Sequence, residues 1–105
     1  MQQGTVPATF RKGPWYHERV ERANDLAIYR RWKLYDGREG AVHYEVVRLQ
    51  IRAAHLDPQG HLVPAHEAYP PSSTWGSRGW TFKTLSEAQA KYTSLLDSAS
   101  ARAAD

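Results

Sequence analysis

Over residues 26–54 the sequence alternates with a period of two, and that pattern restricts what the chain can build. In residues 26–35, Leu26, Ile28, Trp32 and Leu34 share one parity, while Tyr29, Arg31, Lys33 and Tyr35 share the other. A strand places successive side chains on opposite faces, so this run reads as a half-buried antiparallel strand. The cluster Asp36-Gly37-Arg38-Glu39-Gly40 supplies a turn, and residues 41–54 form a second strand rich in Val, Ile and Tyr. Its apolar positions are even at Val42, Tyr44 and Val46, then odd at Val47, Leu49, Ile51 and Ala53. Either a β-bulge near Val46-Val47 or a strand covered on both faces would accommodate that slip.

The flanking segments extend the reading. Asp57-Pro58-Gln59-Gly60 has Pro at the second turn position and Gly at the fourth, which suits a three-residue hairpin with a bulge. The return run, residues 61–69, contains Pro64, which cannot donate to a ladder and so places this strand at a sheet edge. Upstream, Asn24-Asp25 has turn chemistry that makes residues 15–22 the first arm of a hairpin. Gly13-Pro14 followed by Tyr16, Val20 and Ala23 also suits a short helix. Residues 1–14, with Gly4, Pro7, Gly13 and Pro14, read as a flexible arm outside the core. Near the C-terminus, Thr84 and Glu87 have capping-box spacing, and Leu85, Ala88, Tyr92, Leu95 and Leu96 keep a helical stripe. Residues 98–105 read as a frayed tail. The expected architecture is one α+β domain over residues 15–97, an antiparallel three- to four-stranded meander packed by one C-terminal helix. Its core would hold Ile28, Trp32, Leu34, Val47, Leu49, Ile51, Leu85, Tyr92 and Leu95.

Composition then removes whole classes of function. With 105 residues and no cysteine, thiolate catalysis, zinc ribbons, iron–sulfur clusters and disulfide scaffolds are excluded. The net charge of +3 is mild but uneven. Residues 1–54 carry ten Lys or Arg against six Asp or Glu, and residues 55–105 carry four against five, so the surplus of cations belongs to the first half. No window approaches a membrane span and no apolar segment follows the basic residues near the start, which reads as a cytoplasmic protein without membrane contact. Ser77, in Gly76-Ser77-Arg78-Gly79, lacks the surroundings of a nucleophile elbow, and no glycine-rich loop precedes a helix. A non-enzymatic protein without a cofactor is therefore expected.

One long motif carries a resemblance. Glu67-Ala68-Tyr69-Pro70-Pro71-Ser72-Ser73-Thr74-Trp75-Gly76-Ser77-Arg78-Gly79-Trp80-Thr81-Phe82, preceded by Tyr44-Glu45-Val46, resembles a signature of small uncharacterised bacterial proteins of prophages and integrating elements. The likeness spans residues 26–96, with Pro71 standing where the pattern has its first serine. It implies an accessory protein of a mobile element and brings no activity with it. The Trp-Gly-x-x-Gly step before a helix is also similar to WGR-type modules of DNA-break sensing proteins, although residues 79–85 are shorter than the intervening strand of that module.

Three constellations remain as candidates. Tyr29, Arg31, Lys33 and Tyr35 on one strand face, extended by Arg48 and Arg52, interleave rings and cations as single-stranded DNA or RNA requires. The same residue types also favour ordinary solvated strand positions. A host or element protein would be bound by an aromatic clamp of Trp75, Arg78 and Trp80 or by the edge strand; the indoles are equally suited to covering an open end between sheet and helix. His55, Asp57 and His61 share a face of the predicted hairpin and form a metal candidate without a fourth ligand; a polar turn facing water has the same composition.

Overall fold

The computed structural model describes residues 5–104. In chain order the elements are β1 (Thr9–Lys12), β2 (Trp15–Ala23), β3 (Leu26–Trp32), β4 (Leu34–Tyr35), β5 (Arg38–Glu39), β6 (His43–Arg48), β7 (Gln50–Arg52), β8 (His55–Leu56), β9 (Leu62–Val63), β10 (His66–Ala68), β11 (Gly79–Phe82) and α1 (Leu85–Ala104). Strands β1, β2, β3, β6 and β11 form one five-stranded sheet in that order, and each neighbouring pair is antiparallel. The fold is α+β, with one C-terminal helix on an antiparallel sheet.

Local chemistry accounts for most element ends. Asn24, at φ 56°, takes the left-handed conformation that closes the β2–β3 hairpin. Gly60, at φ 85°, closes the Asp57 turn, and the Gly60 N–H donates to the Asp57 carbonyl at 2.9 Å. Thr84 caps α1: the Glu87 N–H donates to its Oγ1 at 3.2 Å, and that hydroxyl donates to Glu87 Oε1 at 2.9 Å.

The central strands are buried on both faces. On one side Leu26, Ile28 and Val46 meet Ala88 and Tyr92 of α1, with Leu85, Leu95 and Leu96 alongside. On the other, Ala27, Tyr29, Val47 and Leu49 lie under Val6, Phe10, Tyr69 and Trp75. The second cover is made of an N-terminal strand and a loop. Glu67 fastens it, accepting from the Val6 N–H at 3.1 Å and pairing through both carboxylate oxygens with Arg22 of β2.

This second layer revises several expectations. The β3–β6 ladder runs without a register shift from Leu26↔Arg48 to Arg31↔His43, so double coverage, and not a bulge at Val46-Val47, explains the change of parity. The irregularity lies instead in β2, between Arg19 and Glu21. The segment expected as a free arm supplies β1 and the buried Val6, and α1 continues through the expected tail to Ala104. The sheet has five strands because β1 and β11 are its edges. The Pro64 run instead joins a ribbon outside it, in which β10 pairs with β7 and β9 with β8. Ile51, expected in the core, is 70% exposed on that ribbon, and Leu34 is exposed on the small β4–β5 hairpin. The chain leaves the main sheet just before Ile51, which ends the inward alternation there. No helix among the described residues is long and apolar enough to cross a membrane.

Candidate functional site

At the edge of the second layer a cleft of about 590 Å³ opens between β1, β2, β3, β6 and the Tyr69–Trp75 loop. That volume lies in the range of roughly 300–1,000 Å³ common to small-ligand sites. Lys12, Trp15, His17, Arg31, Glu45, Tyr69, Ser72, Trp75 and Thr81 are among its lining residues. Each arrives from an element already explained. His17, Arg31 and Glu45 come from β2, β3 and β6, and the pairings His17↔Arg31 and Tyr29↔Glu45 set their level on the sheet.

Glu45 forms the floor and is buried, 3% exposed. The Tyr69 hydroxyl donates to its Oε1 at 2.7 Å. His17 Nε2 stands 3.5 Å from Oε1 and Arg31 Nη1 stands 3.4 Å from Oε2. Thr81 Oγ1 donates to Oε2 at 3.5 Å and itself accepts from the Trp75 indole N–H at 2.9 Å. Burial pushes the Glu45 carboxyl up, but the contacts with His17 and Tyr69 and the charge of Arg31 outweigh it. The carboxyl titrates below its ordinary value and stays ionised. Burial, together with the neighbouring carboxylate, drives the Tyr69 phenol far above its usual range, so it remains a donor. Two buried nitrogens at this floor, His17 Nδ1 and Arg31 Nε, have no partner among the described residues.

The walls are aromatic. Tyr69 meets Trp75 at 6.5 Å, and behind the lining Phe10 stacks on His17 with centroids 4.5 Å apart. Trp15 carries two cations: the Arg31 guanidinium lies 4.1 Å and the Lys33 ammonium 4.4 Å from its ring centroid. Lys12 lies 5.9 Å from the Tyr69 centroid. Gly79 makes the Trp75 wall possible, since a Cβ there would stand 2.6 Å from the indole. Gly79→Ala is therefore expected to displace Trp75 and cost about 1–3 kcal/mol, read by urea denaturation together with a shift in tryptophan emission. Unchanged stability and emission would show that the indole moves aside freely.

The sequence candidates distribute unevenly over this geometry. Arg31 lines the cleft and Lys33 lies beside it on the Trp15 ring, but Tyr29 is fully buried beneath it, its hydroxyl donating to the Pro7 carbonyl at 3.1 Å. The solvated Tyr29–Arg31–Lys33–Tyr35 row is thus not formed, because β1 and the loop cover the inner half of that face. Tyr35 is exposed on the separate β4–β5 hairpin. Arg48 closes the far end of β6 opposite Leu26, and Arg52 belongs to the outer ribbon. The three do not extend one surface. Trp75 and Trp80 separate as well: Trp75 packs on the cleft side and Trp80 on the helix side, where Lys91 lies 4.5 Å from its centroid. Arg78 lies against the Gln50 carboxamide, 3.2 Å from its oxygen in the orientation that satisfies both groups. No clamp results, since Trp80 of β11 faces the helix while Trp75 belongs to the loop that covers the opposite face of the sheet.

The hairpin histidines are brought to one tip but not into a ligand set. Asp57 Oδ1 is used by the turn, accepting from the Gln59 and His61 N–H groups at 2.9 and 2.8 Å. His61 Nδ1 is 3.5 Å from Asp57 Oδ2, whereas His55 Nδ1 turns to the Ala53 carbonyl at 3.1 Å. Among the described residues no group of three or more His, Cys, Asp or Glu could hold a metal ion.

No known family model, curated protein or solved structure matches the chain. The site therefore has to speak through its own chemistry. His17, Glu45, Trp15 and Tyr69 were not singled out in the sequence as site residues. For Glu45 a signal existed, a lone carboxylate between Tyr44 and Val46 in an apolar strand. Such a residue is buried only with partners, and its partners lie far away in sequence.

Proposed function

We propose that this is a non-catalytic accessory domain of a mobile element that binds single-stranded nucleic acid at the cleft. The observation that carries the reading is Trp15 at the cleft wall with Arg31 and Lys33 both held on its ring. Cations fixed on an aromatic surface, beside the further rings of Tyr69 and Trp75 in the same cleft, can hold the phosphates of a strand whose unpaired base enters it, which a stacked duplex does not offer. Lys12 extends the cationic rim on the opposite side. Arg31 also neutralises Glu45, so the exposed Lys12 and the half-buried Lys33 are the cations to remove.

Binding of a mixed-sequence oligonucleotide is expected to weaken with salt. Replacing Lys12 and Lys33 together by Ala should flatten the log-log salt slope by about 1.4, at roughly 0.7 per phosphate contact on a single strand. Trp15→Ala should cost about 1–3 kcal/mol of binding. Fluorescence anisotropy at several salt concentrations measures both effects. Affinity indifferent to salt and to both lysines would sink the reading. It would favour the alternative of a protein-interaction module, which has its support in Ile51, Leu56 and Leu62, all largely exposed on the outer ribbon.

A further inference from the structure

Resting on that reading of the cleft, the geometry points to a specific ligand, and we propose that the site takes an unpaired guanine base. The floor presents a fixed row of hydrogen-bonding groups. Glu45 Oε1 and Oε2 are two acceptors side by side, and Arg31 Nη1 is a donor next to Oε2 at 3.4 Å. An ionised carboxylate has about four lone-pair positions. Here the one short bond to the carboxylate is that from Tyr69 to Oε1, at 2.7 Å, while the contacts of Oε1 with His17 and of Oε2 with Arg31 and Thr81 are long, at 3.5, 3.4 and 3.5 Å. Acceptor capacity thus remains on a carboxylate that is held charged, buried and aimed into a cleft.

An acceptor–acceptor–donor row is complemented by a donor–donor–acceptor edge. Among the nucleobases, guanine has that edge: its exocyclic N2 amine and N1–H meet the two carboxylate oxygens, and O6 accepts from Arg31. Adenine and cytosine place a single donor group beside an unprotonated ring nitrogen, which would oppose one carboxylate oxygen. Thymine and uracil flank their one N–H with carbonyls on both sides, and one of these would meet Glu45. A buried acceptor facing another acceptor is strongly unfavourable. The walls suit the same ligand. Trp75 and Tyr69 line the cleft as aromatic walls for a bicyclic ring, and the Trp75 N–H is linked through Thr81 to the carboxylate below. Lys12 and Lys33 stand at the rim for the attached phosphates.

The test is a tryptophan-quenching titration with an oligothymidylate carrying one central deoxyguanosine, deoxyinosine or deoxyadenosine. The guanine strand should bind about tenfold or more tightly than the adenine strand, as a bidentate base contact typically discriminates. Inosine, which keeps N1–H and O6 but lacks the N2 amine, should fall between them. Glu45→Gln, which replaces one acceptor by a donor, should bring all three to similar affinity. Should that variant fail to fold, the series on the unaltered protein decides alone. Equal binding of the three strands overturns guanine selection and leaves single-strand binding intact. No binding of any strand at low salt overturns both.

Discussion

Tyr29→Ala is expected to remove a large part of the stability of this domain. The side chain is fully buried, its ring is edge-on to Phe10 and to Tyr69 at 5.4 Å each, and its hydroxyl donates to the Pro7 carbonyl. Truncating a buried aromatic costs about 3–5 kcal/mol, because the lost transfer energy is joined by that of a cavity. A domain of this size has a total stability of about 5–15 kcal/mol. The loss should lower the melting temperature by about 15 °C or more. Tyr29→Phe keeps the ring and loses only the bond to Pro7, which is worth about 1 kcal/mol. Calorimetry on the pair distinguishes the two contributions. If Tyr29→Ala melted within a few degrees of the parent, the layer formed by Val6, Phe10 and Tyr69 would not be closed over the sheet.

The second large effect concerns Glu45. Glu45→Leu removes an ionised group around which Tyr69, His17, Arg31 and Thr81 are arranged, leaving their donors without an acceptor. Breaking a buried pair from one side costs about 3–5 kcal/mol. The value here should fall toward the lower figure, because the Arg31 side chain is a quarter exposed and can turn to water. The pH dependence supplies an independent check. Glu45 and Glu67 both titrate below the ordinary value of 4.5, Glu45 because its contacts outweigh burial and Glu67 chiefly through its hydrogen bond to Arg22. A carboxyl depressed in the folded state adds stability that is complete above 4.5 and disappears as the pH falls through the folded value. The parent should therefore lose stability steadily on acidification below about pH 4.5, and Glu45→Leu should show a shallower loss, with Glu67 still contributing. Parallel curves for the two proteins would show that Glu45 is not held ionised by its neighbours.

Short-range chemistry was legible in the sequence. The Asn24-Asp25 and Asp57–Gly60 turns, the Thr84–Glu87 cap and the stripe Leu85, Ala88, Tyr92 and Leu95 depend on residues within a few positions of one another. Each appears as read. The parity of β3 was legible too, since Leu26 and Ile28 share the helix side while Ala27 and Tyr29 share the other.

What alternation could not supply was the cover on the second face. A period of two sorts side chains between faces, but whether a face meets water depends on segments far along the chain. Tyrosine suits either environment, with a ring that buries well and a hydroxyl that needs one partner. Tyr29 is buried because residues 6–10 and 67–75 return over it. The same closure turned Glu45 from a solvated strand carboxylate into the floor of a cleft, and gathered Trp15, His17, Arg31 and Tyr69 around it. The sequence by itself determined the central strands β3 and β6, the turns at Asn24 and Asp57, and the capped start and apolar stripe of the helix. Only the tertiary structure decided which parity was covered, because burial of a face is a non-local event, and the candidate site exists wholly as a product of that event.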